Sequence, residues 1–113
     1  MSRDEAAILD IQDAVKRAIE FTRNVSEEQF IVDNVIRWAV YSQIVLIGEA
    51  ANRLSAEYRA AHQELPWKQM IGMRHRLVHG YDDINWERVW KTTTDDLPGL
   101  LTVLSPLVPR SGP

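Results

Sequence analysis

The chain contains no cysteine, which removes disulfides, thiolate zinc sites and thiol redox chemistry and leaves a fold that must rest on packing. Strand-like alternation of apolar and polar residues is missing too, so no sheet is expected. No apolar run reaches the ~18 residues that a membrane span requires. The N-terminus, "MSRDEAAILD", carries acids where a signal peptide would carry basic and then apolar residues. A cytoplasmic location without membrane attachment is the expectation. Net positive charge is also lacking: 13 Lys and Arg against 16 Asp and Glu give a formal charge of -3. Proteins that coat nucleic acid without specificity usually carry the opposite sign. Any contact with nucleic acid must therefore be local. There is no internal repeat and no low-complexity tract.

What is present is one domain of 113 residues, 45% hydrophobic and 26% charged, an ordinary composition for a globular protein. A domain this small gains from burying further surface in an oligomer, and a homodimer is the expectation. Helix signals then follow one another along the chain. Ser2 and Glu5 stand at capping-box spacing, and Ile8, Ile11, Val15, Ile19 and Thr22 form one apolar stripe, giving a first helix that ends near Asn24. Ser26 and Gln29 repeat the cap, and apolar positions run without proline from Phe30 to Leu54, which predicts one long second helix. Its middle, "WAVYSQIVLIGEA", is apolar nearly all round, as suits burial by its own bundle and by a second subunit. Gly48 within it points to close helix approach.

Ser55 can cap a short helix to about His62, which "QELP" ends. Pro66 suits the first turn of a further helix, expected to stop at Gly80. Asn85 is a plausible cap for a face of Trp86, Val89 and Trp90, which "DLPG" interrupts before Leu97 to Leu107 completes the bundle. The fold class is all-α, a bundle of four to five helices with one long second helix. The domain spans residues 1–108. The final "LVPRSGP" resembles a protease-site scar as much as a native end, so residues 109–113 stand outside it.

One stretch departs from the acidic background. "MRHRLVHGYD", Met73 to Asp82, overlaps an interval from Trp67 to Tyr81 that holds no acid but includes Lys68, Arg74, His75, Arg76 and His79. A solvated basic face is the plain reading. Against it, His79 is expected in the last helical turn, where the helix dipole favours its protonated form. Arg74 and His79, five positions apart, lie about 140° and 7.5 Å from each other on a helix, so a second copy across a twofold axis would form a shared cleft more easily than one helix alone. Tyr81 falls just past the expected helix end. His75 and His79 also have the spacing of two zinc ligands. The glutamate of a zinc-protease motif is replaced by Arg76, a cation that opposes metal binding.

Arg74, His79 and Tyr81 together compose Arg-x4-His-x-Tyr, and the chain resembles the HEPN superfamily in its HepT-like ribonuclease toxin branch. "IGEAANRLS", "PWKQMIGMRHRLVHGY" and "WERVW...DDLP" extend the resemblance over most of the chain from the second helix onward. The resemblance implies a helical bundle that dimerises with its motifs facing each other, and a metal-independent RNA endonuclease needing no cofactor. In such enzymes a 2'-hydroxyl attacks the adjacent phosphorus. Arg74 and His79 would be catalytic: the imidazole moves a proton and the guanidinium meets charge building on phosphate oxygens. Arg76, Lys68 and His75 would hold the RNA backbone, transfer RNA being the substrate suggested by analogy. The resemblance further implies a partner, a minimal nucleotidyltransferase (MNT) antitoxin that silences the toxin by transferring AMP to Tyr81, adding bulk and negative charge beside the site. Glu49 and Asn52 either line the cleft or pack the bundle. The alternative function is a non-catalytic helical docking subunit for that nucleotidyltransferase.

Overall fold

In the computed structural model, which describes residues 1–78 and 83–109, both N-terminal capping boxes are formed. Ser2 accepts from the Glu5 amide while the Glu5 carboxylate accepts from the Ser2 amide, each at 3.0 Å, and α1 (Arg3–Thr22) begins there. Ser26 and Gln29 exchange the same two bonds at 3.1 and 2.9 Å to open α2 (Glu27–Val32). Between them Asn24 takes φ 61°, the left-handed conformation that asparagine tolerates better than most residues.

The long second helix is interrupted at Asp33. Its backbone is extended (φ -99°, ψ 102°) and its carboxylate accepts from the Ile36 amide at 3.0 Å, so α3 (Asn34–Arg53) starts afresh with Asp33 as its cap. A side-chain acceptor competing for the free amides of the next turn is what favours aspartate at helix starts over helix interiors. The 20-residue α1 and α3 pack along their length. Ile8, Ile11, Val15 and Ala18 of α1 are fully buried, as are Val40, Ile44, Ile47 and Ala51 of α3. The molecule measures 41 × 33 × 20 Å, the least extent matching two helix layers of about 10–12 Å. One side of α3 consequently faces outward.

Ser55 caps α4 (Ala56–Ala61), accepting from the Tyr58 amide at 3.0 Å. Its own amide and hydroxyl donate to the Asp4 carboxylate at 2.8 Å each, which ties α4 to the start of α1. The helix expected from Pro66 to Gly80 is instead two short ones, α5 (Trp67–Ile71) and α6 (Met73–Leu77), separated by a turn at Gly72. Val78 is already extended and pairs with Ile84 in an antiparallel bridge. That pairing draws the chain out of the helix earlier than the glycine signal suggests. Asn85 caps α7 (Trp86–Lys91), accepting from the Arg88 amide at 3.1 Å. "DLPG" does not break the path: a π-helical turn, Thr92–Asp96, leads directly into α8 (Leu97–Leu104) and a 3-10 turn, Ser105–Leu107. Pro98 is the second residue of α8, directly after that turn.

The all-α class is as expected, and the predicted helices reappear as α1, α2 with α3, α4, α5 with α6, and α7 with α8. No helix among the described residues is long and apolar enough to cross a membrane.

Candidate functional site

The site begins with a missing side chain. A Cβ on Gly48 would stand 3.2 Å from the Met70 carbonyl oxygen and 3.5 Å from that of Ile71, so any side chain here would require α5 to give by a few tenths of an ångström. Trp67, Met70, Met73 and Leu77 then anchor α5 and α6 in the core with at most 7% exposure each. The Trp67 indole adds a hydrogen bond to the His62 carbonyl at 2.8 Å. With the apolar positions turned inward, Arg74, His75 and Arg76 are left exposed.

Arg74 and His75 line a cleft of about 250 Å³ together with Gly48, Glu49 and Asn52 of α3 and Ile71 of α5. The expectation that Glu49 and Asn52 could border the cleft therefore has a geometric basis. Such a set offers a guanidinium able to donate two parallel bonds to a phosphate, an imidazole, an amide and a carboxylate able to accept a proton. A second hollow of about 570 Å³ lies on the other flank of α3, lined by Asp10, Arg17, Leu46 and Arg53 and meeting the first at Glu49 and Asn52. Arg17 donates to Gln43 at 2.8 Å and Arg53 to Asp10 at 2.7 Å. Neither arginine is obvious from the motif, although Arg53 follows Glu49 by one helical turn and so shares its face.

The basic island does not act as one patch. Arg76, two positions past Arg74, donates to the Gln69 carbonyl at 2.8 Å and borders a different groove, with Asp95 and Asp96. Lys68 lies on a third surface beside Gln63, Glu64 and Pro66. Of the expected RNA contacts, His75 alone shares the cleft of Arg74.

His79 and Tyr81 lie outside the described residues, as do Gly80 and Asp82. What is described is where their segment is anchored: Val78 pairs with Ile84, and the Asn85 amide donates to the Leu77 carbonyl at 2.7 Å. α6 itself ends at Leu77, with Val78 extended.

The profile of the ribonuclease HepT-like family matches residues 11–107. The "Probable ribonuclease HepT" of Thermococcus cleftensis is 35% identical over 91 residues, covering 80% of this chain and 83% of that protein. A "Putative RNase" of Methanocaldococcus jannaschii is 36% identical over 97 residues, 85% of this chain and 89% of its own. Another, from Caldanaerobacter subterraneus, is 37% identical over 82 residues, 73% of each chain. No solved structure matches the chain significantly. With a family profile covering residues 11–107 and relatives aligned across most of their own length, this chain belongs to the ribonuclease HepT-like family.

Proposed function

We propose that the protein is a metal-independent endoribonuclease toxin acting as a homodimer, with Arg74 and His79 as its catalytic pair. The observation that carries this is the exposed cleft in which Arg74 and His75 meet Glu49 and Asn52, in a chain of a ribonuclease-named family. The RNA's 2'-hydroxyl gives up its proton and its oxygen bonds to the adjacent phosphorus. The bond from phosphorus to the 5'-oxygen breaks, and that oxygen takes up a proton. The products are a 2',3'-cyclic phosphate and a 5'-hydroxyl, with no water consumed. His79 serves one of the two proton transfers, and Arg74 neutralises charge on the non-bridging oxygens. His75 steadies the same phosphate, whereas Arg76 and Lys68 face away and are not assigned to it.

The uncovered side of α3 supports the dimer. Val35, Trp38, Ser42, Leu46, Glu49 and Arg53 recur at three- and four-residue steps on one exposed face. Val35, Trp38 and Leu46 are 79%, 52% and 43% exposed, and Val32 of α2 adds another apolar group at 79%. Large apolar side chains grouped in this way favour a protein contact over water. A twofold partner seated there brings both clefts to the seam, since Glu49 lies on the same stripe. Tyr81 is the acceptor of AMP from a nucleotidyltransferase antitoxin, and the added phosphate repels RNA from Arg74.

The test is incubation of transfer RNA with the purified protein in excess EDTA. The expected result is persistent cleavage leaving cyclic phosphate ends, abolished in His79→Ala. Intact RNA, or cleavage that needs a divalent cation, overturns the proposal. Light scattering tests the dimer, and Val35→Glu with Leu46→Glu is expected to yield monomers. The net charge of -3 favours one competitor, a non-catalytic docking subunit, which predicts uncut RNA alongside tight binding of the nucleotidyltransferase.

A further inference from the structure

A groove of about 450 Å³ separates α5 and α6 from α8, away from the Arg74 cleft. Its floor is apolar: Met70, Met73 and Leu97 are buried, Leu100 is half-buried, and Val103 remains 40% exposed at the rim. Its two rims differ in charge. Arg76 stands on one, held by its bond to the Gln69 carbonyl. Asp95 and Asp96 stand exposed on the other, at the end of the π-helical turn.

We propose that this groove seats an amphipathic helix of a partner protein, its apolar side inward and a lysine or arginine against Asp95 and Asp96. A helix is the occupant favoured by the walls. Thr92 to Val103 are helical throughout, as are Gln69, Met70, Met73 and Arg76, so this backbone has no free edge for an added strand and recognition falls to side chains. Leu97, Leu100 and Val103 follow at three-residue steps and make a ridge roughly 9 Å long at about 1.5 Å per residue. Parallel ridges on two helices form the kind of groove into which a third helix packs. Methionines in the floor adapt to varied apolar partners. Two acids on one rim against the single cation Arg76 on the other favour a guest with its cation on the side of Asp95 and Asp96. Gly99 leaves room: a Cβ built on it meets nothing within 4 Å.

The probe is a fluorescein-labelled peptide with leucines at i, i+3, i+4 and i+7 and lysines elsewhere, compared with its glutamate counterpart by anisotropy on the full chain. The lysine peptide is expected to saturate and the glutamate peptide to bind at least tenfold more weakly. Gly99→Leu fills the groove from an open position and should weaken binding at least tenfold while the circular dichroism melt is unchanged. Asp95→Lys with Asp96→Lys should reverse the preference between the peptides. Val35→Glu, on α3, should leave binding as it was. Equal binding of both peptides, insensitivity to the groove variants, or no saturable binding overturns the proposal. So does a groove that takes up only a small apolar dye.

Discussion

Along α1 and α3, 20 residues each, the starts are capped by side chains and the shared face is sealed from water. Along α5 and α6, five residues each, neither start has a side-chain cap, and the anchors are few. Helices as short as α5 and α6 are not stable by themselves, so they borrow their conformation from the frame they lie on. The difference separates two tasks. The frame supplies cohesion, and the short segment, relieved of that duty, can carry exposed cations at Arg74 and Arg76. Gly48 is where the two meet, because it sets how closely α5 approaches α3.

The sharpest way to break this contrast is inside the frame. Ile44→Ala, at a fully buried position, should cost about 2–5 kcal/mol, read as a lower midpoint in chemical denaturation. At the seam, Gly48→Ala pushes a methyl against the Met70 carbonyl. Overpacking of roughly 1–3 kcal/mol is partly offset by alanine's helix propensity of about 1 kcal/mol. Cleavage should nevertheless fall about tenfold or more, since misplacing a catalytic group by a fraction of an ångström is costly. Single-turnover rates set beside melting curves separate the two effects.

Much of the frame was legible because its signals are local. Ser2 with Glu5, Ser26 with Gln29, and Ser55 each announce a helix start within four residues, and Asn85 does the same. Gly48 was legible as a close approach, though only the fold identifies α5 as the neighbour. The breaks were less visible, since each depends on a competition that pattern alone does not decide. At Asp33 a carboxylate captures an amide that the continuing helix would have used. At Val78 a bridge to Ile84, six residues on, wins over the turn. "DLPG" misled in the other direction, because a π-helical turn carries the helical path up to and past Pro98. As for the site, the motif pointed to Arg74, which lines the cleft with His75, but the turn of α6 sends Arg76 to another groove. Arg17 and Arg53 reach the neighbouring hollow only through the packing of α1 on α3.

Two smaller effects sharpen the account of the frame. Asp33→Ala removes a cap and should cost about 1 kcal/mol, visible as a modest fall in melting temperature with α2 loosened from α3. Asp4 concerns pH. Hydrogen bonds from the Ser55 amide, and then from its hydroxyl, lower the Asp4 carboxyl below its ordinary value of 3.8. A carboxyl depressed in the folded state adds stability above its unfolded value, and that contribution is lost as pH falls through the lowered one. Asp4→Asn should therefore melt below the parent protein at neutral pH, with the gap closing in acid below about pH 4.

The central claim is that chemistry resides on α6 and cohesion in the frame, and Arg74→Ala tests it most directly when cleavage and stability are measured on one preparation. The account predicts that RNA cleavage falls about 10²–10³-fold, the scale of losing one donor to developing charge, while the denaturation midpoint stays within about 0.5 kcal/mol of the parent. Cleavage at the parental rate would contradict it, and so would a loss of activity that merely tracks unfolding.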